Sequence, residues 1–131
     1  MQDRPTVGEL LEAVRTFLED EVVPALDGPR RFHARVAANV LAIVAREDAG
    51  EEAALVAEWA ALGSLLGRGV GPSPARLEAL RAAVREMSEQ LGERIRHGDA
   101  DAGPFRDAVR AHVRAVVREK LRVANPRFLG S

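Results

Sequence analysis

Three side chains in this chain set hydrogen-bonding or titratable groups among apolar neighbours: His33, Asn39 and His112. Asn39 falls near the middle of the most apolar side of residues 30–47, RRFHARVAANVLAIVARE. A buried amide must find partners or it destabilises the fold, so Asn39 marks either a structural hydrogen-bond node or a contact to a ligand or partner. His112 lies between Val109 and Val116 on the apolar side of its own segment, and His33 stands at the edge of the stripe that holds Asn39. Each histidine reads as a satisfied core residue or as a ligand contact. If their two segments pack together, Asn39 and His112 meet in one polar cluster.

The second chemical feature is a row of arginines. Arg106, Arg110, Arg114, Arg118 and Arg122 recur at four-residue steps. Such a row can grip phosphates or carboxylates, because guanidinium groups donate paired, charge-assisted hydrogen bonds to both. It has no interleaved aromatics for stacking on bases, and the formal net charge of the chain is −1, which argues against a general polyanion binder. An acidic protein partner, an anionic ligand and a solvated face remain open, and no nucleic-acid partner is expected. Of the 19 basic residues only Lys120 is a lysine, a bias that fits a GC-rich bacterial genome.

Other chemistry is poorly supplied. There are no cysteines, which excludes disulfides, thiolate catalysis and cysteine metal sites. His33, His97 and His112 lack the Glu-x-x-His pattern of di-iron bundles, and Glu93 with His97 makes only two ligands near a helix end. No metal and no cofactor are expected. The carboxylate runs Glu19-Asp20-Glu21 and Glu51-Glu52 map to polar faces, although Glu21 leans toward the apolar side. Ser64, Ser73 and Ser88 lack a nucleophile-elbow context. The glycine-rich stretch at 67–71 lacks the Lys-Ser/Thr ending and the preceding strand of a phosphate loop. No catalytic residue is assigned.

These side chains need helices to position them. Hydrophobic residues are 47% and charged residues 30% of 131, which suits one globular domain. Thr6 and Glu9 form a capping-box pattern, and Val7, Leu10, Leu11, Val14, Phe17, Leu18 and Val22 then follow the helical period until Pro24 and Asp27-Gly28-Pro29. Pro29 opens a second segment, with Phe32, Val36, Val40 and Ile43 as its main stripe and Leu41 opposite. A helix apolar nearly all round is usually central. A third segment runs from about Glu51 to Gly67, with Leu55, Trp59, Leu62 and Leu66 on one face. Ser73 caps a fourth, whose seam is Leu77, Leu80, Val84, Met87, Leu91 and Ile95, ending at Gly98. The fifth starts near Pro104, carries Phe105, Val109, Val113, Val116 and Val117, and stops at Asn125-Pro126. No strand is needed, and the short loops predict antiparallel neighbours. The expectation is an all-α, single-domain bundle of about five helices with the second central. It has an arm at 1–5, a flexible loop at 67–73 and a tail at 125–131. No apolar run reaches a membrane span's length and the N-terminus holds no signal-peptide core, so a cytoplasmic bacterial protein is expected.

The opening MQDRPTVGELLEAVRTFLEDEVVPAL, the stretch RFHARVAANVLAIVARE and the close KLRVANPRFL together resemble a family of short bacterial proteins with a domain of unknown function. The three blocks span nearly the whole chain in the family's order. Members are often encoded beside acyl-CoA dehydrogenase-like proteins and aminoglycoside-phosphotransferase-like kinases. The resemblance therefore implies an accessory role in acyl-CoA or hydroxyacyl metabolism, with one of those proteins as partner, and it supplies no catalytic residue. The expected function is a non-enzymatic accessory or protein-interaction module. A homodimer is also expected should the apolar seam of the fourth helix be exposed. The alternatives are a small-ligand-binding bundle with a pocket near Asn39, His33 and His112, and an enzyme subunit that completes another protein's site. The last would show one face joining apolar anchors to the arginine row.

Overall fold

The computed structural model describes residues 3–69 and 71–130. All its regular elements are helices, and among the described residues there is no strand. The elements are α1 (Val7–Phe17), a π-helical segment (Leu18–Val22), α2 (Val23–Ala25), α3 (Gly28–Leu65), α4 (Leu77–Arg96), α5 (Gly103–Ala124) and α6 (Pro126–Leu129). None of the described helices is long and apolar enough to cross a membrane. Of the regions expected to be irregular, Met1, Gln2, Val70 and Ser131 lie outside the described residues.

The helices group into two compact units. One comprises the described residues up to Gly50 with Val123–Asn125; the other comprises Glu51–Arg122 with the described residues from Pro126 onward. The helix that contains the expected central segment supplies residues to both units.

In the first unit the Thr6 hydroxyl caps α1, accepting from the Glu9 backbone N–H at 3.1 Å. The return bond of a capping box is replaced by an ion pair, Glu9 to Arg4 at 3.7 Å. Pro24 does not close this helix. The turn widens over Leu18–Val22, the Val23 N–H bonds back to the Leu18 carbonyl, and the chain continues helically to Ala25. A proline ring clashes with the carbonyl four residues before it, and the wider π turn relieves that clash. Leu26 and Asp27 then break the chain before α3.

The second and third expected segments are one helix of 38 residues. Gly50 costs about 1 kcal/mol in a helix interior but does not break it, since the flanking residues remain good helix formers. Which face of α3 is covered also differs from expectation. The buried residues in its first half are Ala34 and Ala38, with Leu41 half-buried, while Phe32, Val36 and Val40 are exposed. The same holds for α1 and the π-helical segment, where Val7, Leu10, Val14 and Phe17 are exposed and, of the expected stripe, only Leu11, Leu18 and Val22 are half-covered. Val23 is the one large hydrophobic side chain buried in this unit among the described residues.

The second unit has the expected core. Leu62, Leu80, Val84, Met87, Leu91 and Val109 are buried together, with Leu55, Trp59, Leu65, Leu66, Ala100 and Phe105 packed against them. The α4 seam is thus covered within its own unit, apart from exposed Ile95, so it gives no support to dimerisation through this helix. Ser73 and Pro74 precede α4 in irregular chain; the N-cap is Arg76, whose side chain makes no capping bond. At the other end Gly98 stops α4 as its composition predicts. Its φ of 90° is one that side-chain-bearing residues rarely adopt. The Gly98 N–H bonds the Ile95 carbonyl at 3.0 Å and the Asp99 N–H reaches the Arg94 carbonyl at 3.1 Å, the paired bonds of a Schellman cap. The expected tail contains α6, one short helical turn after Asn125.

Two substitutions test this core and its cap by urea denaturation. Leu62→Ala removes a fully buried side chain and is expected to cost about 3 kcal/mol. Gly98→Ala forces a Cβ into positive φ and to 3.1 Å from Asp101 Oδ2, and should cost about 1 kcal/mol.

Candidate functional site

The arginine row lies on α5, in the second unit. Its ends are engaged. Arg106 is half-buried and pairs with Asp107 at 3.1 Å, and Arg122 makes three hydrogen bonds to Glu119, two at 3.1 Å and one at 2.7 Å. Hydrogen bonding from Arg122 holds the Glu119 carboxyl below the usual range, despite an opposing push from burial. The middle differs. Arg110, Arg114 and Arg118 are exposed, and their side chains make no ion pair or hydrogen bond among the described residues.

Apolar side chains share that arc. At about 100° per residue, Val113 and Val117 lie between the buried stripe of Phe105 and Val109 and the arginines at 110, 114 and 118. Val113 is 46% exposed and Val117 48%. The spacing of these valines predicts core, but α5 turns them to its outer border. The outward face of α5 therefore joins apolar anchors to three uncommitted guanidinium groups. Arginine is among the residues enriched in protein-binding hot spots.

α5 is held by contacts that no sequence pattern signals. The Arg94 guanidinium lies 4.2 Å above the centroid of the Phe105 ring. It also donates to Asp99 at 3.1 Å and to the Leu65 carbonyl at 3.4 Å, so one α4 side chain ties the end of α3 to the start of α5. Glu51 and Arg81 make a second tie, with two parallel bonds of 2.5 and 2.8 Å between α3 and α4.

The other candidates separate. His33 and Asn39 are in the first unit and both are exposed. The His33 ring meets the Phe32 ring edge-on at 5.8 Å. Asn39 is not the buried amide its position predicts, because α3 covers its alanine side instead. Its side chain makes no hydrogen bond among the described residues. His112 is half-buried in the second unit. Among the described residues no group of three or more His, Asp or Glu side chains is placed to hold a metal ion.

The first unit also holds a contact absent from any motif. Arg46 Nε donates to the Val123 carbonyl at 2.9 Å. On α1, Arg15 bonds both Glu12 and Glu19, the latter at 2.6 Å, and its bond to Glu12 holds that carboxyl low. These pairs are exposed and belong to a solvated face.

The chain belongs to the family described as Domain of unknown function (DUF6285), whose model matches residues 24–128. No curated protein and no solved structure matches it.

The Glu51–Arg81 pair gives a pH prediction. Its hydrogen bonds hold the Glu51 carboxyl below the ordinary value of 4.5. The stabilisation is therefore complete above that value and lost as pH falls through the lowered pKa. Glu51→Gln should cost at most about 1 kcal/mol at pH 7, given the exposure of Arg81, and the difference from the parent should vanish in acid. Thermal melts in steps from pH 7 into acid measure it.

Proposed function

We propose that this chain is a non-enzymatic protein-interaction module that docks an acidic partner on the outward face of α5. The observation that carries this reading is the pairing of exposed Val113 and Val117 with uncommitted Arg110, Arg114 and Arg118. Buried apolar contact supplies most of the affinity in such surfaces, and the arginines steer a partner of opposite charge. The partner is a protein of acyl-CoA or hydroxyacyl catabolism, either acyl-CoA dehydrogenase-like or phosphotransferase-like. That part rests on the resemblance of the three sequence blocks alone. In this reading the module works in the bacterial cytoplasm and uses no cofactor, and a homodimer would present two such faces. A ligand pocket around Asn39 and His33 draws no support from their exposure.

Tagged full-length chain, recovered from its native host, tests the proposal by mass spectrometry. A stoichiometric dehydrogenase- or kinase-like protein is expected. The triple variant Arg110→Glu, Arg114→Glu and Arg118→Glu should reduce its recovery by at least tenfold, while Arg85→Glu on α4 leaves it unchanged. Equal recovery by the triple variant and the parent refutes the α5 site.

A further inference from the structure

We infer that the α5 face receives an acidic amphipathic helix of its partner, laid along the arc from Val113 to Arg118. This inference rests on the reading of α5 as a docking face for an acidic partner, and adds the form that the partner's contact element takes.

Two rows of side chains on α5 define the face. Val109, Val113, Val117 and Leu121 stand four residues apart, and so do Arg106, Arg110, Arg114 and Arg118. At about 100° per residue each row drifts only about 40° per step, so the two run side by side. Val109 is buried and Leu121 half-buried, while Val113 and Val117 are 46% and 48% exposed. Successive arginines are about 6 Å apart along the axis, and Arg110 is about 12 Å from Arg118. A second helix crossing at a shallow angle of about 20° stays alongside over that length. It presents its own residues at the same four-residue pitch.

Charge selects an acidic occupant. α5 carries six basic and two acidic residues, although the chain as a whole has a formal charge of −1. Both acids are engaged, Asp107 with Arg106 and Glu119 with Arg122. Arg110, Arg114 and Arg118 have no such partner among the described residues. Like charges four residues apart disfavour a helix standing alone, so the stability of α5 does not account for the row. A guanidinium fork matches a carboxylate with two parallel bonds.

Backbone chemistry selects a helix over an extended segment. Residues two apart in a strand repeat at about 6.6–6.8 Å, so charge pitch alone does not separate the two forms. A helix, however, has no free backbone edge on which a strand can pair, because its N–H and C=O groups bond internally. An extended segment against Val113 and Val117 would leave its own backbone groups facing apolar side chains. A docked helix brings its backbone bonds already made. A lipid surface fits this face less well. An interfacial helix buries a whole apolar side, and here Phe105 and Val109 belong to the unit's own core.

Fluorescence anisotropy of labelled peptides of about 18 residues, titrated with the full chain in about 50 mM salt, tests this inference. One peptide carries Glu and Leu in adjacent rows at four-residue steps. A second has the same composition with Glu spread round the helix. A third keeps the charge but contains prolines that prevent a helix. The patterned peptide is expected to bind at least tenfold more tightly than either of the others. Arg110→Gln, Arg114→Gln and Arg118→Gln together should weaken it at least tenfold, Val117→Ser about threefold, and Arg85→Glu not at all. Circular dichroism checks the helices of each variant. Should the triple variant unfold, Arg114→Gln alone decides, with a loss of about threefold. If either control peptide binds as tightly as the patterned one, and both are lost in the triple variant, the helix is overturned and the acidic docking face stands. Equal binding of the patterned peptide by the triple variant and the parent overturns both. No binding of that peptide at about 1 mM overturns the helix, and the docking face is then judged by recovery of the native partner. Tighter capture of the chain by phosphatidylserine vesicles than by the patterned peptide also overturns the inference.

Discussion

A helix with an apolar stripe must have that stripe covered, and the two units of this chain meet the requirement differently. In the second unit the last turns of α3, all of α4 and the first half of α5 turn leucine, valine and methionine toward a common centre, and Leu62 and Leu80 are almost wholly removed from water. In the first unit the covered side of α3 is its alanine side. Alanine permits close approach but contributes little transfer free energy, about that of one methyl group. The valines and phenylalanines, which carry most of the driving force, face out. The molecule thus has one core complete in itself and one that leaves its largest side chains in solvent.

That division explains what could be read from the residues. Helix boundaries are local events, and most were legible. Thr6 caps, Gly98 stops, the chain re-enters helix at Gly103 beside Pro104, and Asn125-Pro126 ends α5. Three boundaries depend on more than a single punctuating residue, and one of them is Ser73-Pro74, which stays outside α4. Gly50 is carried through by helix formers on both sides, and Pro24 is absorbed by a π turn. The buried face of the second unit was legible because only one side of α4 is apolar. For residues 30–47 both sides are apolar, and periodicity reports where such residues lie without saying which neighbour arrives. Asn39 reads as a core residue for that reason.

The candidate site was legible in part. The row from Arg106 to Arg122 is plain in the sequence, but its division into engaged ends and an uncommitted middle depends on Asp107 and Glu119 adopting particular rotamers. Arg94 offers no pattern at all. Its stacking on Phe105 and its bonds to Asp99 and the Leu65 carbonyl join residues brought near only by the packed core. Arginine is suited to such varied duties because its planar group stacks, forks and stays charged under all ordinary conditions.

The bond from Arg46 to the Val123 carbonyl carries a consequence for biogenesis. Residues 123–125 belong to the first unit, yet they are synthesised long after the rest of it. Seventy-seven residues separate the two ends of this contact, so the first unit cannot mature before Val123 has been made. At about 5–20 residues per second, its opening helices wait several seconds without the contact that residues 123–125 supply. A nascent chain of this kind is a natural client for whatever shields hydrophobic surface at the exit tunnel.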